Sequence, residues 1–198
     1  MLSFRRCLIL KILVETSARH VHISEKDLHI LFGEDAKLEI KKELSQPSQF
    51  VSFQKVDVIG PKGEIKGVSL MGPTREKTQV EVSLTDARKL GIPTEVRKSG
   101  DIDGTNGCKL VGPNGEIDIP CGVIAAKRHI HLDPKSANEY NLKDQDIVSV
   151  KISTPNRSLI FDDVFVRVSE NFSPAMHIDT DESNAAGITG QVYGEIIK

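Results

Sequence analysis

Two stretches of the sequence carry residues whose spacing suits metal chemistry: Arg19-His20-Val21-His22-Ile23 and Arg128-His129-Ile130-His131-Leu132. Side chains at i and i+2 of an extended strand share one face, so each stretch would aim two imidazoles the same way. Neutral imidazole is a good ligand for zinc and its neighbours in the first transition series. A single pair of this kind is weakly specific, because a solvated or structurally satisfied pair has the same spelling. Two pairs in matching places of one chain say more.

The matching places come from an internal repeat. Ser17-Ala18-Arg19-His20-Val21-His22-Ile23-Ser24 parallels Ala126-Lys127-Arg128-His129-Ile130-His131-Leu132-Asp133, and the segment Glu81–Ile92 parallels His177–Ile188, both ending in Gly-Ile. The repeat nominates a third ligand for each pair. One set is His20, His22 and Glu81; the other is His129, His131 and His177. Three N/O ligands with a position left open is the arrangement of catalytic zinc, whereas structural zinc is closed by four. The same donors would also accept cobalt, iron or nickel. His29 has no counterpart and reads as a surface residue. Arg19 and Arg128 fall on the strand face opposite the histidines and read as structural.

The least symmetric segment is Gly72-Pro73-Thr74-Arg75-Glu76-Lys77-Thr78-Gln79-Val80-Glu81. If it is extended throughout, Arg75, Lys77, Gln79 and Glu81 share a face and bring cations towards the first set. The second half offers Asn171 in place of Arg75. A cation present once suits an anion that binds once, and a strand edge guarded by Lys and Arg would look the same.

The elements that must hold these residues are short. Val56–Leu70 and Lys109–Ile119 each read as strand, Gly-Pro-x-Gly turn, strand. Asp146–Ile152 and Leu159–Val168 alternate as half-buried strands do. Ser24 with Asp27 opens a brief helix that Gly33 closes, and Asp133-Pro134 opens another, with Ala137 and Tyr140 inward. The expected fold is mainly β: two similar small β-barrel domains related by an internal pseudo-two-fold duplication and capped by short α-helices. The expected boundary lies in the turn-rich stretch 98–108, giving halves 1–100 and 101–198.

Composition narrows the function classes. The chain has 198 residues, a formal net charge of −2 and no Trp. That balance carries no nucleic-acid footprint, and no apolar run reaches the roughly 20 residues of a membrane span. Cys7, Cys108 and Cys121 are odd in number and lack any Cys-x-x-Cys, which fits reduced thiols inside a cell. Met1–Leu10 reads as a basic lead-in to a first strand rather than an export signal.

The motifs together resemble the PduL-type phosphate propanoyltransferases. The resemblance rests on Ser17–Ser24, Glu43–Phe50, Arg75–Gly91, Ala126–Leu132 and Met176–Gly187, in the family's order. It implies two β-barrel domains, a site with two divalent metal ions (zinc), coenzyme A binding and a homodimer. It implies acyl-CoA and inorganic phosphate as substrates, with an acyl group exchanged between them. By position, His20, His22 and Glu81 resemble the ligands of one metal, His129, His131 and His177 those of the other, and Arg75 the phosphate-binding arginine. Ser48 departs from the family pattern, which has Gly there. About ten residues precede the first matched strand, little room for a targeting helix and linker. The expected location is therefore the cytoplasm, with a bacterial microcompartment as the second location considered.

Two other readings meet the same residues: a cupin-like or other His-x-His metalloenzyme, and a non-catalytic duplicated module that binds metal or coenzyme A. The predicted chemistry is direct attack of phosphate on the thioester without a covalent acyl-enzyme, since neither Cys108 nor Cys121 sits in an activating motif.

Overall fold

The computed structural model describes residues 10–197, so the expected lead-in over Met1–Leu10 lies, Leu10 apart, outside the described residues. Strands β1 (Lys11–Thr16) and β2 (His20–Ser24) lead into helix α1 (Glu25–Phe32). Strands β3 (Ile40–Glu43), β4 (Phe50–Ile59), β5 (Glu64–Arg75) and β6 (Gln79–Glu81) follow, then α2 (Leu84–Leu90) and β7 (Val96–Arg97). Next come β8 (Cys108–Val111), β9 (Glu116–Ile119), β10 (Val123–Ala126), β11 (His129–Leu132) and α3 (Pro134–Glu139). The chain closes with β12 (Ile147–Ile152), β13 (Leu159–Val168), β14 (Ala175–Ile178), α4 (Thr180–Ala186) and β15 (Val192–Ile197). No helix among the described residues is long and apolar enough to cross a membrane.

The architecture is mainly β with short helices, as the alternation predicts. Two compact units are present. One comprises 10–15, Arg128–His177 and 183–197. Its six strands close into a barrel in the order β1-β14-β11-β13-β12-β15. The other comprises Thr16–Lys127 and Ile178–Glu182. It holds a nine-stranded sheet in the order β7-β10-β6-β2-β5-β4-β8-β9, with β3 paired to β4, curled into a half-barrel.

Both compact units draw strands from either side of residue 100, and ladder pairing is the reason. β1 pairs with β15, from Lys11 opposite Glu195 to Val14 opposite Val192. β8 pairs with β4, and β10 runs parallel to β6 with Ile124 opposite Glu81. Each hydrogen-bonded edge recruits a strand from the other side of the residue-100 boundary.

Local chemistry explains the short helices. Ser24 Oγ accepts from Asp27 N, Ser83 Oγ from Asp86 N, and the Asp133 side chain from Ser136 N; these side chains satisfy donors that the first turn leaves open. Asp179 and Glu182 exchange bonds in a reciprocal cap, Glu182 N to Asp179 Oδ1 and Asp179 N to Glu182 Oε2. Both Gly-Pro-x-Gly turns form hairpins as predicted, with Gly60 N bonded to Gly63 O and Gly112 N to Gly115 O. Each turn also seals a helix end: Lys62 N donates to Leu90 O, and Asn114 N to Leu31 O. A Cβ on Gly60 would lie 2.3 Å from Leu90 O, and one on Gly112 2.6 Å from Leu31 O, so only glycine allows this approach.

Candidate metal centre

β2 is buried along its whole length between β5 and β6. Val21 and Ile23 belong to the apolar core with Leu28, Leu70 and Val80, all essentially inaccessible to solvent. β6 runs antiparallel to β2, with Glu81 opposite His20 and Gln79 opposite His22. That register sets a carboxylate beside two imidazoles. His20 Nε2 and His22 Nε2 stand 3.1 Å apart. Glu81 Oε2 is 3.5 Å from His20 Nε2, and Glu81 Oε1 is 3.6 Å from His22 Nε2.

Ligand bonds of about 2.0–2.1 Å in a tetrahedral arrangement place the ligand atoms about 3.3–3.4 Å from each other, so these separations fit one small divalent ion. His20 Nδ1 lies 2.8 Å from Ala18 O. A carbonyl there accepts a hydrogen bond from Nδ1–H and so leaves the lone pair on Nε2, the nitrogen facing Glu81. Among the described residues, this is the group of three or more His, Cys, Asp or Glu whose ligand atoms lie within 4.8 Å of one another.

The electrostatics favour a bound cation. Burial opposes the charge on Glu81, but the His20 charge and hydrogen bonds from His22 and Ser99 outweigh it and hold the carboxyl well below its usual range. Burial pushes His22 down to about 4, against the pull of Glu81, and the charges of His20 and Arg75 add to the depression. The pocket at neutral pH therefore contains an ionised carboxylate and an unprotonated His22, which is the ligating form.

The second set is built on the same register. β11 is antiparallel to β14 with His129 opposite His177, and parallel to β13 with His131 opposite Arg167. The ring centroids are 4.7 Å apart for His129 and His131, 5.3 Å for His129 and His177, and 5.0 Å for His131 and His177. His131 is buried with neither ring nitrogen hydrogen-bonded. Two orphaned nitrogens inside a protein are costly unless a ligand takes one, and a set of imidazoles suits a transition metal. His177 Nδ1 lies 3.8 Å from Glu15 Oε2. Burial, followed by the charges of His129, His177 and Arg167, pushes His131 down to about 2.

The segment 72–81 is not one extended face. β5 ends at Arg75, the chain turns through Glu76–Thr78, and β6 returns along the opposite edge of β2. Lys77 consequently leaves the group and pairs with Asp103 at 2.9 Å on the surface. Arg75 stays close. It lies opposite Ser24 in the β2–β5 ladder, and its Nη1 donates to Ser99 Oγ at 3.2 Å. Arg19 pairs with Asp86 at 2.7 Å, and Arg128 donates to Asp162 O and stacks over Phe161, so both act in packing as expected. His29 sits in the last turn of α1. The thiol of Cys108 is buried and pushed up to about 12 by that burial, which makes it a poor nucleophile.

Sequence reasoning did not single out Ser99, Phe172 or Arg167. Ser99 Oγ donates to Glu81 Oε1 at 2.7 Å. Phe172 stacks on His131 with centroids 4.0 Å apart, and Arg167 lies over the Phe172 ring. Only Arg167 had a readable signal, a cation between Val166 and Val168 at the apolar end of its strand.

Fold and site define a mainly β protein with a duplicated His-x-His strand, a carboxylate completing one set and an arginine beside it. The family model for phosphate propanoyltransferase matches residues 13–189, and the chain belongs to that family of acyltransferase enzymes. It is 52% identical over 175 residues to the phosphate propanoyltransferase of Thermotoga maritima, covering 88% of this chain and 83% of the relative. It is 46% identical over 185 residues to the Clostridioides difficile protein of the same name, covering 93% and 88%. The Listeria monocytogenes protein of that name is also 46% identical, over 93% of this chain and 86% of its own.

Proposed function

We propose that the chain exchanges a short acyl group, propanoyl or acetyl, between coenzyme A and inorganic phosphate. The observation that carries this reading is the joining of Arg75 to the His20/His22/Glu81 group, which sets an anion-binding cation beside a metal-capable one. In this reading His20, His22 and Glu81 hold one divalent ion and His129, His131 and His177 a second, zinc in both cases. A bound zinc ion supplies Lewis acidity towards a thioester carbonyl and affinity for a departing thiolate.

Arg75 holds the phosphate, its planar guanidinium matching two phosphate oxygens at once. A phosphate oxygen then forms the new bond to the carbonyl carbon, the carbon–sulfur bond breaks, and the electron pair leaves on sulfur. Phosphate is already nucleophilic at neutral pH, so the main demand on the protein is to hold it in line. No side chain is acylated, and the inert Cys108 thiol agrees with that. The same reading makes the enzyme a cytoplasmic homodimer.

The test is an assay of free thiol release from propanoyl-CoA with and without inorganic phosphate, alongside metal analysis of the protein. Phosphate-dependent thiol release with about two transition-metal ions per chain is the expected result. Thiol release that ignores phosphate, a stable acylated enzyme, or protein purified without transition metal overturns the reading.

A further inference from the structure

Ser99 lies between β7 and β8, outside any strand or helix, yet its hydroxyl stands at the crossing of the site. It donates to Glu81 Oε1 at 2.7 Å, and accepts from Arg75 Nη1 at 3.2 Å and from Gln79 Nε2 at 3.1 Å. A serine hydroxyl offers one donor and two acceptor positions, and all three are used here. Gln79 braces the same frame. Its Nε2 also reaches Glu81 Oε1 at 2.6 Å, and its Oε1 accepts from Gly100 N at 2.8 Å, which pins the backbone next to Ser99. Two donors thus fix Glu81 Oε1 and keep Oε2 turned towards His20.

We propose that Ser99 is a positioning residue that couples the metal ligand Glu81 to the anion-binding Arg75. The inference rests on the reading that these two residues have those roles. One oxygen atom touches both the carboxylate and the guanidinium, so ordering either partner favours order in the other. Metal at Glu81 and phosphate at Arg75 must then strengthen each other's binding by the same factor, because linkage is reciprocal. Alanine at 99 removes the donor from Glu81 and the acceptor from Arg75 together. Loss of such an outer contact typically weakens metal binding about 10- to 100-fold.

The test is equilibrium Zn2+ titration of chelator-stripped full-length protein against a competing chromophoric chelator, with and without inorganic phosphate. Glu81→Ala identifies which zinc class belongs to the first set. In the wild type, phosphate tightens that class. Ser99→Ala weakens it about 10-fold or more and abolishes the phosphate effect, while Ser99→Thr, which keeps a hydroxyl, restores both. Ser99→Cys, close in size but a weak donor, behaves as the alanine variant and supplies the answer if alanine disturbs folding. The coupling is overturned if Ser99→Ala or Ser99→Cys keeps the affinity and the phosphate effect within twofold, or if wild-type zinc affinity ignores phosphate. Zinc binding unchanged by Glu81→Ala overturns the metal assignment itself, and with it the coupling.

Discussion

β2 and β11 repeat one backbone arrangement and give it different chemistry. Each lies antiparallel to a strand that sets the third residue opposite its first histidine, Glu81 opposite His20 and His177 opposite His129. Each runs parallel to a longer strand and leads directly into a short helix capped by Ser24 or Asp133. The side chains around them diverge. On the parallel neighbour the residue opposite His22 is Met71, whereas the one opposite His131 is Arg167. Glu81 is an anion held by Ser99 and Gln79, while His131 packs on Phe172 with both ring nitrogens orphaned. Register is therefore the property the repeat preserves, and charge is set by single side chains. The first set includes a carboxylate; the second is made of three imidazoles, with Arg167 opposite His131 and Glu15 beside His177.

The largest effects should come from breaking that asymmetry. Glu81→Ala removes the only anion of its set and should lower phosphate-dependent turnover by about a hundred- to a thousandfold, with loss of one metal ion per chain by elemental analysis. Arg75→Ala should lower turnover comparably while leaving the metal content unchanged. Loss of metal from the arginine variant would show that Arg75 serves the ligands and not the anion. His129→Ala should reduce metal content while sparing the class that depends on Glu81.

The metal-free protein sharpens the contrast through stability. Glu81→Leu strands Ser99 and Gln79 and should cost about 1–3 kcal/mol in denaturant unfolding. His131→Leu removes two unsatisfied buried nitrogens from beside an aromatic ring and should be neutral or stabilising. Equal losses for the two variants would mean that the sets are supported alike.

How far the sequence revealed this follows from the same distinction. The histidine pairs were visible because alternation along a strand is a local rule, and Glu81 and His177 because a repeated ladder register reappears as repeated sequence. Arg75 was visible as an asymmetry, but its setting was misjudged. The turn at Glu76–Thr78 folds β6 back along β2 and throws Lys77 out to Asp103. Ser99 had no signature at all, since it reaches Glu81 from a loop 18 residues away, where no periodicity operates. The two halves of the sequence also hid the exchange of strands: nothing local to Lys11–Thr16 says that its partner is Val192–Ile197.

Acidification should separate the sets by smaller amounts. In the metal-free protein His22 titrates near 4, faced by His20, Glu81 and Arg75, and His131 near 2, faced by His129, His177 and Arg167. An unfolded histidine takes its proton near 6.5, so below that pH the unfolded state binds protons that these folded imidazoles refuse. Stability is fully present above about pH 6.5 and falls as the pH drops, with each such histidine adding up to about 1.4 kcal/mol per pH unit to the slope. His22's contribution levels off near 4, and His131's continues lower. Unfolding midpoints between pH 7 and 5 should therefore decline less steeply for His131→Leu than for the wild type. An unchanged slope would mean that His131 is protonated in the folded state.

The smallest effect is expected outside both sets, at Ser48. Its φ is 62°, in the left-handed region, within the loop between β3 and β4. That backbone conformation favours glycine, because a Cβ there costs about 1 kcal/mol that glycine avoids. Glycine also adds freedom to the unfolded chain, which offsets part of the gain. Ser48→Gly should therefore raise stability by no more than about 1 kcal/mol and leave turnover and metal content unchanged, as read by thermal unfolding and elemental analysis. A loss of stability would mean that the serine hydroxyl holds the loop more strongly than the left-handed backbone strains it.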